Sequence, residues 1–393
     1  MSKRVLFLSN GHGEDLNASL ILRELIDRNP DVSISAMPLV GEGNAYRRLG
    51  VPIIGPTSNL PSGGIIYTDP MNCARDILAG LIGLTVRQVR SILRSGQDYD
   101  LLIAVGDIFP ITVAWLTGRP FIAFIVSTSS YYEGRLRLPA LTEFCLGSPR
   151  CLQVFTRDRF TAEDLQSRGM KKAIHAGYPI MDAIAPTGKD LGLDSRVPTI
   201  ALLPGSRLPE ALHNLSLELA ICREIAKIQP MQFIAAIVSG ITETELEKLA
   251  RQRGWEYLGE GKLRGDSAIV HCHRDAFADI LHRCDVAIGM AGTAVEQAVG
   301  LGKPVIQIPG RGPQFTYPFA EAQMRLLGES VITVGKKPTE PELFATAARK
   351  VVEILQDSDR SRICRENGRE RVGLAGGSRA IAEKIDRFLH DRG

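Results

Sequence analysis

The sequence predicts an α/β protein built from two open, mostly parallel sheets, one in each half of the chain. Three observations carry that expectation. Short Val/Ile/Leu runs such as VLFLS, LLIAV and IALL lack the apolar–polar alternation of half-exposed strands, and strands buried on both faces read this way. Amphipathic helical patterns separate the runs, as crossovers between parallel strands require. At 393 residues the chain also exceeds what one core usually organises, so two domains are expected.

In chain order, strands are expected at 4–9, 32–37, 52–54, 101–105, 121–126, 152–155 and 174–176, with helices at 14–28, 73–94, 108–117 and 161–168. Residues 183–198, AIAPTGKDLGLDSRVP, mix Pro, Gly and charge without clear periodicity and read as a linker. Strands resume at 199–203, 232–238, 268–270, 285–289, 304–308 and 331–334, between helices at 213–229, 243–253, 275–282, 293–301, 319–327 and 340–356. After Gly376-Gly377, Ile381, Ile385, Phe388 and Leu389 fall at helical spacing. The expected division is 1–188, 189–374 and a C-terminal helix at 375–393, which packs on its own domain or crosses back to the first.

Composition bounds the function classes. Apolar residues at 44% and charged residues at 23% describe a globular protein, and a net charge of +3 gives no reason to expect nucleic acid as a partner. Seven scattered cysteines without a CxxC pair suggest reduced thiols in a cytosolic setting. Cys151, Cys222 and Cys284 read as small buried apolar residues. The longest apolar run, ILAGLIGLTV at 77–86, is shorter than the ~20 residues of a spanning helix. A cytoplasmic protein is expected, one that touches a membrane from one side at most.

Ligands of open parallel sheets bind at the carboxyl ends of strands, so the residues at those ends matter most. The first half offers SNGHGED (9–15), Asp107 and Ser127–Ser130. The second offers Gly205-Ser206-Arg207, His271–His273, Gly289–Thr293 and Gly310–Gln314. In LLPGSRLPE (202–210), Gly205 lets backbone approach a ligand and Arg207 carries a forked cation suited to phosphate. A capped turn with a surface arginine would read the same. In GMAGTAVEQA (289–298), Gly292-Thr293 opens a helix whose free N–H groups favour phosphate. Glu296 lies one turn on, where it could accept sugar hydroxyls or simply be an exposed acid. Together the two turns suit a nucleoside diphosphate. Neither GxGxxG after the first strand nor GxxxxGK[ST] occurs, which disfavours NAD enzymes and P-loop ATPases. His271 and His273 share a strand face, but no third ligand stands at suitable spacing, so no metal is expected.

LLPGSRLPE, GMAGTAVEQAVGLGKPVIQIP and AGYPIMDAI (176–184) resemble the second half of lipid-A-disaccharide synthase, and the fit is closest to the lipid-A-disaccharide synthase-related proteins. More widely the layout resembles the GT-B glycosyltransferases, with two Rossmann-like domains facing across a cleft. The resemblance implies an inverting, metal-independent hexosyltransferase without cofactor. Its donor is a UDP-sugar held by the second domain, GlcNAc or a derivative, and its acceptor a lipid or glycolipid held by the first. On that resemblance Gly205, Ser206, Arg207, Gly292 and Thr293 contact the diphosphate, Glu296 the ribose and HCHRDAF (271–277) the base, while Gln314, at a strand end, is a further substrate-binding candidate. Asp107 falls near the family's first-domain aspartate and reads as general base or as a helix cap. His12 is the other candidate base, Glu14 orients it or acts as base itself, and Gly11 and Gly13 make room for the reactants. Ile77, Leu78, Leu81, Ile82, Leu84, Val89 and Leu93 with Arg75, Arg87, Arg90 and Arg94 form a basic amphipathic pattern, either a core helix or a contact with an anionic membrane. YYEGRLRLPAL (131–141) could gate the acceptor. Two other functions share this layout: a non-hydrolysing UDP-sugar 2-epimerase, and a non-catalytic relative that senses a sugar nucleotide.

Overall fold

Residues 3–58, 81–290, 292–310, 315–338, 340 and 342–391 are described by a computed structural model. The chain forms two compact units, Met1–Asp182 with Leu374–Gly393, and Ala183–Gly373.

The first unit runs β1 (Arg4–Ser9), α1 (His12–Arg28), β2 (Ser33–Pro38), α2 (Asn44–Arg47), α3 (Leu81–Ser95), β3 (Leu101–Gly106), α4 (Ile108–Leu116), β4 (Phe121–Ile125), α5 (Ala140–Gly147), β5 (Cys151–Thr156), α6 (Arg159–Ser167) and β6 (Ala173–Ile174). Its sheet has the order β2-β1-β3-β4-β5-β6 with every pairing parallel. β3 and β4 are buried along their whole length, which is why their sequences are continuous apolar runs. Residues 52–54 give only an isolated bridge, Ala36 to Ile53, and no strand. The chain leaves β1 toward β2 on one side and returns to β3 on the other. The strand order therefore reverses between β1 and β3, paired from Val5↔Leu101 to Ser9↔Val105.

The second unit runs β7 (Thr199–Leu203), α7 (Glu210–Ile228), β8 (Gln232–Ala236), α8 (Glu243–Gln252), β9 (Glu256–Gly259), β10 (Lys262–Gly265), β11 (Ala268–His273), α9 (Phe277–Arg283), β12 (Val286–Gly289), α10 (Thr293–Gly300), β13 (Val305–Gln307), α11 (Tyr317–Leu327), β14 (Val331–Thr333), α12 (Leu343–Gln356) and α13 (Arg360–Arg371). The sheet order is β14-β13-β12-β7-β8-β11-β10-β9. It is parallel from β14 to β11, and β10 and β9 extend it antiparallel. Here the order reverses between β7 and β12, paired from Val286↔Ile200 to Gly289↔Leu203.

The last helix, α14 (Gly377–His390), belongs to the first unit. It buries Ile381, Ile385 and Leu389 and lies along α1, where Arg28 pairs with Glu383 and Asn29 Nδ2 donates to Asp386 Oδ1 at 2.9 Å. Its start is pinned by Asp182, whose carboxylate accepts from the Gly376 N–H and from the Ser378 N–H at 2.7 Å.

Residues expected to be linker are partly ordered instead. Asp279 accepts from the backbone N–H groups of Thr187, Gly188 and Lys189 and from Thr187 Oγ1. The Thr187 hydroxyl, followed by the backbone donors, holds this carboxyl below the usual aspartate range. Residues 187–189 thus attach to the second unit. No described helix is long and apolar enough to cross a membrane.

Candidate functional site

In each unit the candidate residues gather where the strand order reverses, the place at which loops from neighbouring strands part and leave a crevice.

In the first unit the loops after β1 and β3 are joined directly. Asn10 Nδ2 donates to Asp107 Oδ1 at 2.7 Å. Asp107 is also the N-cap of α4, accepting from the Phe109 N–H at 3.0 Å through the same oxygen. Of the two readings of Asp107, the cap is present. Glu14, in the first turn of α1, accepts from Ser127 Oγ at 2.6 Å, so the loop after β4 joins the group. His12 begins α1 and is exposed. The structure therefore brings Asp107, Glu14 and Ser127 to the same end of the sheet as His12.

Gly11 is the N-cap of α1 and Gly13 lies in its first turn. Gly11 is extended, with φ 178°, and a Cβ there would lie 2.4 Å from Glu14 Oε2, so the glutamate's own carboxylate already fills that space. Gly13 sits in the helix and its carbonyl accepts from Asn17 Nδ2 at 2.9 Å.

Beneath this loop lies a buried polar chain that the site reading did not include. Ser9 Oγ donates to Asp15 Oδ1 at 2.6 Å and lies 2.5 Å from Tyr46 Oη. Since the serine proton is spent on Asp15, the tyrosine donates to the serine. Asp15 and Tyr46 are 2% and 0% exposed. Burial, reinforced by the Glu14 charge and only partly offset by Ser9, pushes the Asp15 carboxyl up to about 7.

In the second unit the loops after β7 and β12 leave neighbouring strands at the same end, because Leu203 pairs with Gly289. Gly205-Ser206-Arg207 follows β7 and Gly292-Thr293 follows β12, so the two candidate phosphate turns are side by side. Gly205 has φ +100°, a left-handed conformation open to glycine at little cost. Ser206 is exposed and Arg207 half-buried. Glu296, in the first turn of α10, is 9% exposed. Gln314 lies outside the described residues, as do Arg75, Ile77 and Leu78.

Two buried amides were missed. Asn214, on α7 and fully buried, donates from Nδ2 to the Pro204 carbonyl at 3.0 Å. Gln323, on α11, donates from Nε2 to the Gly292 carbonyl at 3.0 Å. Their only sequence signal is a polar residue on the apolar face of a helix. His271 and His273 sit on β11, and burial keeps both below the usual histidine range. Among the described residues no group of three or more His, Cys, Asp or Glu side chains could hold a metal ion.

These two reversal points can be set beside known proteins. No protein-family model matches the chain. It is 24% identical over 409 aligned residues to the lipid-A-disaccharide synthase of Geobacter sulfurreducens, covering 97% of this chain and 96% of that one. It is 27% identical over 231 residues to that of Syntrophus aciditrophicus, covering 52% of this chain and 55%, about half, of that relative's length. The chain is similar to the lipid-A-disaccharide synthases. Solved structures show the same fold along its length. The spinosyn rhamnosyltransferase SpnG complexed with thymidine diphosphate aligns with a TM-score of 0.63 at 11% identity, covering 98% of this chain and 100% of that one. The UDP-GlcNAc 2-epimerase from Neisseria meningitidis bound to UDP-GlcNAc aligns with a TM-score of 0.56 at 13% identity, with 98% and 100% covered. The fold class is α/β, two Rossmann-like units of the GT-B type.

Proposed function

We propose that this protein is a glycosyltransferase that moves a sugar, GlcNAc or a derivative, from a UDP-sugar to a lipid or glycolipid acceptor. One observation carries the reading. Two glycine turns, one bearing Arg207 and one opening α10, leave paired strands together at the reversal of the second sheet. Peptide N–H groups, a helix start and a guanidinium are the groups that hold a diphosphate. The similarity to lipid-A-disaccharide synthases supports the donor and acceptor classes.

In this reading the acceptor hydroxyl attacks the anomeric carbon as its bond to UDP breaks, inverting that carbon. Arg207 and the start of α10 stabilise the charge on the departing UDP, so no metal is required. Gly205, Ser206, Gly292 and Thr293 hold the phosphates, and Glu296 the ribose. A base in the first unit takes the hydroxyl proton. Asp107 Oδ1 already accepts two hydrogen bonds, from Asn10 Nδ2 and from the Phe109 N–H. It serves better as a fixed acceptor that caps α4, leaving Glu14 and His12 to move the proton. A peripheral contact with an anionic membrane completes the proposal: α3 exposes Ile82, Val86 and Leu93 beside Arg87, Arg90 and Arg94 and carries no acid.

Calorimetric titration with UDP tests the donor site. Arg207→Ala and Glu296→Ala should each weaken binding about tenfold or more; unchanged binding removes the site. Incubation with UDP-GlcNAc alone separates the epimerase reading, since a transferase makes no epimer without acceptor. UDP binding without turnover on any of a panel of lipid acceptors would indicate a sensor. Co-sedimentation with anionic vesicles that survives Arg87→Glu/Arg90→Glu would dismiss α3 as the contact.

A further inference from the structure

The two candidate phosphate turns share a construction that goes beyond their glycines. Each has a buried side-chain amide fastened to one carbonyl. Asn214 Nδ2 donates to the Pro204 oxygen and Gln323 Nε2 to the Gly292 oxygen, both at 3.0 Å. The two amides are 0% and 4% exposed. Their orientation is forced, because a flipped amide would set its oxygen against a carbonyl oxygen. In each case the residue with positive φ is adjacent to or part of that peptide: Gly205 at +100° and Gly292 at +91°.

A trans peptide carries its C=O and N–H in opposite directions. Fixing the Pro204 carbonyl toward Asn214 in the core aims the Gly205 N–H away from it. Fixing the Gly292 carbonyl, which also accepts from the Val295 N–H at 3.1 Å, aims the Thr293 N–H out of the start of α10. Neither N–H donates to any of the described residues. The opposite peptide orientation would present two carbonyl oxygens to an anion and repel it. Both amides also leave their own oxygen, Asn214 Oδ1 and Gln323 Oε1, buried without a partner among the described residues. Such an oxygen costs free energy, so the amides are poor choices for packing alone.

We infer that Asn214 and Gln323 are positioning residues, which orient the Gly205 and Thr293 N–H groups as the two backbone donors to the diphosphate of the donor nucleotide. This rests on the UDP-sugar reading above and names what orients its phosphate contacts. Neither side chain touches the ligand.

The test compares UDP with uridine, which lacks the phosphates, in calorimetric titrations of the full chain. Asn214→Asp and Gln323→Glu keep shape but lose the donated bond at pH 8. Each should weaken UDP about tenfold or more while changing uridine by less than about twofold. Lowering the pH to about 5 should restore part of the Gln323→Glu loss relative to the parent protein, because a protonated carboxyl again donates to Gly292 O. If either acidic variant does not fold, Asn214→Ala and Gln323→Ala remove the bond without adding charge and should show the same selectivity. Equal loss of UDP and uridine, or no loss of either, overturns the inference while leaving the UDP reading intact. Failure of the parent protein to bind UDP overturns both.

Discussion

Asn10 Nδ2 donates to Asp107 Oδ1 at 2.7 Å, and that bond ties the loop after β1 to the start of α4. The same oxygen caps α4 through the Phe109 N–H. An asparagine at 107 keeps an oxygen for both donors, so Asp107→Asn should melt close to the parent, whereas Asp107→Ala should lose about 1 kcal/mol of stability with the cap. Turnover of Asp107→Asn should fall by less than about tenfold if the residue is a fixed cap. A loss of about 10²–10⁴-fold at unchanged melting temperature would make it the base after all.

Gly106 precedes Asp107 with φ +136°, and a Cβ there would lie 2.0 Å from Asn10 Oδ1. Gly106→Ala must adopt a strained backbone and displace Asn10, breaking the Asn10–Asp107 bond. The expected cost is about 2 kcal/mol or more, read by urea denaturation. In a double-mutant cycle, Asn10→Gly should return part of that loss, because it removes the side chain in the way. Strict additivity would show that Asn10 is not what Gly106 accommodates.

Much of this arrangement is legible in the sequence because buried parallel strands announce themselves as apolar runs. β1, β3, β4, β7 and β12 all fall where those runs predict, and the ligand turns follow from their ends. The misses have physical causes. α5, ALTEFCLG, buries Thr142, Cys145 and Leu146 but exposes Leu141 and Phe144, so its apolar residues mark no single face. β9 and β10, EYLG and KLRG, form an edge hairpin whose polar residues face water, so no apolar run marks them. Asn214 and Gln323 could not be chosen from sequence, since their role depends on which carbonyl each reaches. Asp15 stood within the glycine turn, but only the structure shows that Ser9 and Tyr46 enclose it.

Asp279 is the anchor for residues 187–189. Its carboxylate holds three backbone N–H groups and a hydroxyl. Removing it leaves those donors unpaired, so Asp279→Ala should cost the second unit about 2–4 kcal/mol. The two tryptophans report the units separately: Trp115 stands in α4 of the first, and Trp255, 5% exposed, in the second. In Trp115→Phe the remaining fluorescence follows Trp255, and Asp279→Ala should lower that urea midpoint. In Trp255→Phe the Trp115 transition should shift far less. Equal shifts would mean that the loss is not local to the second unit.

Asp15 should make stability depend on pH in a direction opposite to that of a salt-bridged acid. Its carboxyl is pushed up to about 7 in the folded protein, from an ordinary aspartate value of 3.8. Between those values the folded chain holds a proton that the unfolded chain has released. Stability is therefore greatest below about pH 4 as far as this group is concerned, and falls as pH rises toward 7. The interval sets an upper bound of about 4 kcal/mol, and residual solvation makes the real figure smaller. Asp15→Asn keeps an oxygen for the Ser9 hydroxyl but cannot ionise. Its stability should approach the parent's at pH 5 and exceed it at pH 8, measured by urea denaturation at both. A gap that stays constant, or reverses, would show that Asp15 is already charged in the folded state and that the Ser9–Tyr46 chain pays for its burial.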